Sequence, residues 1–208
     1  MSQILLFGTY IQPPYHPLKG VDALLTSLLA DLGTVCPTDN PEDLLKLPGG
    51  SCPLLISYLD QFDHAIPEAC ADAVLRFVQE GGSLLALHNG ISLSLDQGLL
   101  RVLGGRFSHH PTQEPIDFFP EEDTFLSGIP AFTISEEPYQ FDHLASDNRP
   151  LLHYTYRGET YLAGWERTEG RGRIIYLCPG HTIDTFNMES YKQMIRRSVQ
   201  ELLKQKAG

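Results

Sequence analysis

The sequence has no long apolar run. No stretch approaches the roughly 18–20 residues needed to cross a bilayer as a helix, which argues against a helical membrane span. It also lacks the marks of a secretion signal: Met1–Tyr10 has no basic leader, and its apolar run, Ile4–Phe7, is too short for a signal-peptide core. Basic residues are few, 15 Lys and Arg against 26 Asp and Glu, for a formal net charge of −11. Such a surface repels phosphate backbones and anionic lipid. Nucleic acid and membrane are therefore not expected as partners, whereas a neutral small molecule such as a sugar meets no electrostatic barrier. The four cysteines, Cys36, Cys52, Cys70 and Cys178, include no CxxC pair. That spacing supports neither a disulfide framework nor a four-cysteine zinc site, and reduced thiols in the cytoplasm are the simplest expectation. Repeats and low-complexity segments are missing too. With no long polar linker to divide them, residues 1–208 are read as one domain.

What is present in the first half alternates between strand and helix patterns. Ile4–Phe7 reads as a short strand closed by Gly8, and after the Pro-rich loop QPPYHP, Val21–Leu32 carries leucines at helical spacing up to Gly33. Thr34–Cys36 and Leu54–Leu59 suggest further strands, the latter with the continuous apolar run of a strand covered on both faces. Pro67 opens a helix with Ala71, Val74, Leu75 and Val78 on one side, Gly81-Gly82 closes it, and Ser83–Leu87 follows as a buried strand. This alternation predicts an α/β fold with a mostly parallel sheet and helices on both faces. The second half suggests short additional β segments at Ile116–Phe119, Phe132–Ile134, Leu151–Tyr156, Tyr161–Trp165 and Arg173–Leu177. It ends in an amphipathic helix over Ser190–Leu203.

Four segments could carry chemistry. Ala86-Leu87-His88-Asn89-Gly90 follows a buried strand with small residues on either side of His88, the pattern of a nucleophile elbow. Histidine there is a poor hydrolytic nucleophile but a competent acid, base or ligand. In Ser108-His109-His110-Pro111, the proline holds His110 extended, so only one of the two adjacent histidines can face a site. Glu136-Glu137-Pro138-Tyr139 sets two carboxylates beside an aromatic ring, and Cys178-Pro179-Gly180-His181 places a histidine in a turn after a strand. Each segment also has a plain structural explanation: a strand-end cap, a solvated histidine pair, two acids of an acidic protein, a core cysteine. His16, His64, His143 and His153 have no supporting pattern and are read as surface or structural residues.

Taken in order, GGSLLALHNG, LLRVLGGRFSHHP, FTISEEPYQF and GWERTEGRGRIIYLCPGH resemble the ThuA-like (trehalose-utilisation) family over nearly the whole chain, from Gln3 to Leu203. The resemblance implies a flavodoxin-like, class I glutamine amidotransferase-like fold with histidine where the amidotransferases keep their cysteine. By motif it puts His88 on the family's Leu-His, His110 on its His-Pro, Glu137 on its acidic-Glu-x-Tyr element and His181 on its terminal Gly-His, with Tyr139 and Trp165 beside the last two. The sequence departs from the pattern at EEDTFLSGIP, which lacks a His-Pro pair, at GISLSLDQGLL, which lacks an aromatic, and at Pro138.

Three functions are compatible with these residues. The first is an enzyme acting on a disaccharide or keto-sugar derivative by acid–base chemistry, with His88, Glu137 and His181 catalytic and His110, Tyr139 and Trp165 binding the sugar. The second is a metal-assisted version in which three histidines, His88, His110 and His181, together with a carboxylate, hold zinc or manganese. The third is a non-catalytic sugar- or partner-binding domain. Glutamine amidotransfer is not expected, because position 88 is not cysteine. The oligomeric state is left open, a homo-oligomer included.

Overall fold

The structure is a computed structural model that describes residues 2–10 and 15–204. Strands β1 (Ser2–Gly8), β2 (Gly33–Thr38), β3 (Leu54–Tyr58) and β4 (Ser83–Leu87) alternate with helices α1 (Val21–Leu28) and α2 (Glu68–Gln79). Every residue of β3 and β4 is buried, as their unbroken apolar composition requires of strands covered on both faces. A 3-10 segment (His88–Leu95) and α3 (Gln97–Leu103) follow. Then come β5 (Gly105–His109), β6 (Glu114–Pro120), β7 (Phe132–Glu136), β8 (Gln140–Leu144), β9 (Arg149–Tyr156), β10 (Glu159–Glu169) and β11 (Gly172–Leu177). Helices α4 (Ile183–Asn187) and α5 (Glu189–Leu203) end the fold. The first helix stops earlier than its leucine spacing suggests, because the backbone N–H groups of Leu32 and Gly33 both turn back onto the Leu29 carbonyl.

The main sheet has the order β2-β1-β3-β4-β11-β10-β9-β6-β7. Its first five strands pair in parallel, and the remaining four extend it in antiparallel fashion. The expectation of a mostly parallel sheet is thus corrected to a mixed one, with four parallel and four antiparallel pairings. The reason is local: β9, β10 and β11 are joined by turns too short for a crossover helix, so they can only run antiparallel. In the parallel half, β1 to β2 steps one way across the sheet and β3 to β4 the other. Right-handed crossovers then place α1 and α2 on opposite faces, where α1 packs with α4 and α5, and α2 with α3. The strand order reverses between β1 and β3, and the carboxyl ends of strands at such a reversal open a crevice for ligands.

Two features of the second half were not apparent in the sequence. Strands β5 and β8 form a separate antiparallel ribbon, and the β9–β10 register shifts at Leu162–Trp165, where bulges increase the local twist. Among the described residues no helix is long and apolar enough to cross a membrane.

Candidate functional site

The carboxyl ends of the parallel strands deliver the side chains of the site. After β1, the loop carrying His16 folds back through a hydrogen bond from Leu18 N–H to the Thr9 carbonyl (2.9 Å), with Leu18 fully buried as its anchor. Beyond β3 lie Leu59 and Asp60; β4 runs directly into His88; β11 runs into the turn Cys178–His181. His88 has φ of 45°, in the left-handed region, a conformation that costs a non-glycine residue about 1–3 kcal/mol. This is the sharp strand-to-helix turn of an elbow. Its neighbours must be small: a β-carbon on Gly90 would lie 2.1 Å from the Ser57 carbonyl oxygen. One on Gly180, itself at φ 142°, would lie 2.8 Å from the β-carbon of His88.

The antiparallel half contributes the acid. Glu136 and Glu137 follow one another at the end of β7 and do different work. Glu136, fully buried, accepts hydrogen bonds from the backbone N–H of Gly180 (2.9 Å) and His181 (3.0 Å) and from the Thr185 hydroxyl. The hydroxyl of Tyr58 donates to the Gly180 carbonyl and that of Tyr191 to the Pro179 carbonyl, so the whole turn bearing His181 is tied down. Glu137 instead stands inside a ring of imidazoles. Its carboxylate oxygens lie 3.2 Å from His181 Nδ1, 3.3 Å from His88 Nε2, 3.6 Å from His110 Nε2 and 3.7 Å from His16 Nε2.

The imidazoles also contact each other. His16 Nε2 is 2.8 Å from His181 Nδ1 and 3.2 Å from His88 Nε2. Outward-facing partners fix two of the rings: His88 Nδ1 donates to the Cys178 carbonyl (2.6 Å), and His16 Nδ1 faces Asp60 Oδ2 (3.2 Å). Burial, which would raise the Glu137 carboxyl, is outweighed by the imidazoles of His16, His181 and His88 close around it, and the group is held well below the usual carboxylate range. Burial pulls His88 below the usual imidazole value despite Glu137 beside it. For His16 the balance runs the other way: burial lowers it, but Asp60 and Glu137 together push it up to about 9. The Cys178 thiol is raised by burial, so it offers no activated thiolate.

A cavity of about 430 Å³ opens onto this cluster, lined by Tyr15, His16, Asp60, Phe62, Phe107, His110, Glu137 and Tyr139. The β5–β8 ribbon shapes one wall. Its pairing of His109 with Gln140 sets His110 beside Tyr139, with the rings stacked at 5.8 Å and 22°. Tyr139 also lies against His88, with ring centroids 4.3 Å apart.

The structure therefore brings His88, Glu137, His181, His110 and Tyr139 to one place. Trp165 is not there. It is fully buried, donates its indole N–H to the Leu103 carbonyl (2.8 Å) and packs on Tyr176, which corrects the expectation that its face meets a sugar. The convergent set of donor atoms is likewise not the expected trio of His88, His110 and His181. It is His16, His88, Glu137 and His181, whose ligand atoms all lie within 4.8 Å of one another, with His110 outside it. His16, read as surface or structural, is the residue the sequence missed; it is only 5% exposed and touches both other histidines of the set. Its one signal was position, in the loop after the first parallel strand, where ligand-binding residues gather in such sheets. Glu136 was missed as the clasp of the His181 turn.

Known proteins agree with this architecture. A ThuA-like protein from Bacteroides uniformis ATCC 8492 superposes with a TM-score of 0.80 at 16% identity, covering 100% of this chain and 94% of that one. One from Parabacteroides merdae ATCC 43184 gives 0.78 at 15% identity, covering 99% and 92%. A cold-adapted β-galactosidase from Rahnella sp. R3 contains a similar fold in part of its length, with a TM-score of 0.62 at 13% identity, covering 97% of this chain and 32% of that one. No curated protein matches the sequence. The family model described as trehalose utilisation matches residues 53–200, a span that contains His88, His110, Glu137 and His181 but not His16. With well over half of the sequence matched and the fold shared end to end, the chain belongs to the ThuA family.

Proposed function

We propose that the protein is a carbohydrate-processing enzyme of the cytoplasm that acts on a disaccharide or keto-sugar derivative through the His/Glu cluster. The observation that carries this reading is a single buried carboxylate, Glu137, ringed by four imidazoles at the floor of an aromatic-lined cavity. Cavities of this size with apolar walls and a few convergent polar groups are the usual form of a small-molecule site. Tyr15, Phe62, Phe107 and Tyr139 would face the apolar side of a pyranose. An acidic surface leaves such a neutral substrate free to enter. The family's description as trehalose utilisation points to the same substrate class.

Roles follow from reach. His88 is sealed from solvent and acts through its neighbours, while His110, with its side chain 37% exposed and lining the cavity, can touch a substrate. Abstraction of a proton beside a carbonyl, or elimination from a keto-glycoside, would use His110 as the proton carrier. The floor of His16, His88, His181 and Glu137 would stabilise charge on the reacting oxygen.

A panel of native and keto-disaccharides, assayed for product with the full chain and with His110→Ala, tests this. The expected result is turnover of at least one oxidised sugar that falls about 10²–10⁴-fold in the variant. Disaccharide binding with no product from any member of the panel would overturn the enzymatic reading in favour of a binding domain.

A further inference from the structure

We infer that His16, His88, His181 and Glu137 form a binding site for one divalent first-row transition-metal ion, zinc above all, with its open side facing the aromatic cavity. The first ground is separation. Around an ion with bonds of about 2.0–2.1 Å, tetrahedral nitrogen and oxygen ligands sit about 3.3 Å apart. His16 Nε2 lies 2.8 Å from His181 Nδ1 and 3.2 Å from His88 Nε2. Glu137 lies 3.2 Å from His181 through Oε1, and 3.3 and 3.7 Å from His88 and His16 through Oε2. One ligand atom from each of the four lies within 4.8 Å of the others, a set that small shifts would close around an ion.

The second ground is what the rings present to one another. The Cys178 carbonyl can only accept, so the hydrogen of His88 is on Nδ1, and Nε2 carries a lone pair. Asp60 takes the Nδ1 hydrogen of His16 from the other side, so that Nε2 is the atom His16 turns to the same point. His88 Nε2 and His16 Nε2 thus face each other at 3.2 Å, beside a carboxylate. Within that group Glu137 Oε2 is buried and receives no hydrogen bond from any described residue. Two ring nitrogens and a carboxylate turned to one point need a positive charge there, a proton on His16 or a metal ion in its place.

The third ground lies outside the ligands. A carbonyl on His88 and a carboxylate on His16 are the outer partners that fix ring orientation and raise basicity in metal centres. Asp60 is therefore a positioning residue for His16. Three imidazoles with one carboxylate suit zinc and its neighbours better than magnesium or calcium, which take oxygen ligands. The open side follows from burial: His88 is sealed, whereas His16 and Glu137 line the cavity. An ion there would supply a Lewis acid for a carbonyl or hydroxyl oxygen.

This deepens the carbohydrate reading at the same site, but it is tested without substrate. The full chain, purified without an affinity tag and stripped with chelator, is titrated with Zn²⁺ and, separately, with Co²⁺, Mg²⁺ and Ca²⁺. We expect one equivalent of Zn²⁺ by elemental analysis, a rise in Tm with Zn²⁺ but not with Mg²⁺ or Ca²⁺, and visible Co²⁺ bands of a nitrogen/oxygen site without a thiolate charge-transfer band. His16→Gln should lose the Co²⁺ bands. Asp60→Asn should keep them with affinity lowered about 10–100-fold, which a merely structural role would not produce. Circular dichroism establishes that each variant is folded, and His16→Ala replaces His16→Gln if that one is not. Folded wild-type protein that binds no Zn²⁺ or Co²⁺, or a folded His16 variant that binds as tightly as wild type, overturns the metal site. Zinc binding with no turnover of any sugar leaves the metal site standing and sinks the carbohydrate reading. Turnover by protein that binds no metal does the reverse.

Discussion

The parallel and antiparallel halves of the sheet contribute to the site in different ways. Strands β1, β4 and β11 each end in a loop that delivers one imidazole, His16, His88 and His181, so the parallel topology alone gathers residues far apart in sequence. The antiparallel half and the β5–β8 ribbon instead supply what those imidazoles surround and what covers them: Glu137, His110 and Tyr139. One half sets positions through strand ends, the other sets chemistry through an inserted acid and an aromatic wall. Changes at the glycines that seat the strand ends should therefore act on folding, and changes at Glu137, His110 and Tyr139 on activity.

The sharpest way to break that division is Gly90→Ala. The added carbon would fall 2.1 Å from the Ser57 backbone oxygen, so the elbow cannot accept it without moving β3. We expect a loss of about 3 kcal/mol or more in urea denaturation. An unchanged midpoint would show that the elbow is not as tightly seated as the packing indicates. Trp165→Phe sharpens the same contrast from inside the antiparallel half. It removes a buried ring and its hydrogen bond to Leu103, and should cost about 1–3 kcal/mol while leaving KM for any sugar unchanged. A raised KM at unchanged stability would return Trp165 to the site.

Glu136→Gln probes the clasp between the halves. Retaining shape but weakening the acceptor for Gly180 and His181 N–H, it should cost about 1–2 kcal/mol and lower kcat with KM little changed. Equal loss of kcat and stability in an unrelated core variant such as Leu152→Ala would mean that Glu136 is only structural. The smallest effect is expected at His109, which is exposed and whose side chain, among the described residues, bonds only to Ser108. His109→Ala should change stability by less than about 0.5 kcal/mol and turnover not at all, in contrast to His110→Ala.

The parallel half was legible because its physics is local. Short, mainly apolar runs such as Leu54–Leu59 and Ser83–Leu87, each with a single serine, are the pattern of strands covered on both sides. The family resemblance carried His88, His110, Glu137 and His181 onto their positions through motifs, and the three histidines stand around Glu137. Pairing partners in the antiparallel half were not legible, since short strands such as Gln140–Leu144, polar and largely exposed, carry no periodic signal of their own. His16 escaped for a related reason. A lone histidine in a Pro-rich stretch has no pattern, and only the fold, which sets it against His88 and His181, gives it neighbours. Trp165 misled in the opposite sense: a tryptophan beside a glycine near a family motif suggests a sugar platform, yet its bulk is needed against Tyr176 and Phe141 in the core.

Central to all of this is the inward orientation of the His88 and His16 Nε2 atoms toward Glu137, and nitrogen-15 NMR of the imidazoles in the full chain reads it directly. His88 and His16 should both carry their hydrogen on Nδ1 in the neutral ring, the form that the Cys178 carbonyl and Asp60 impose. Either ring found with its hydrogen on Nε2 would contradict the convergence on which the site, its metal and its chemistry depend.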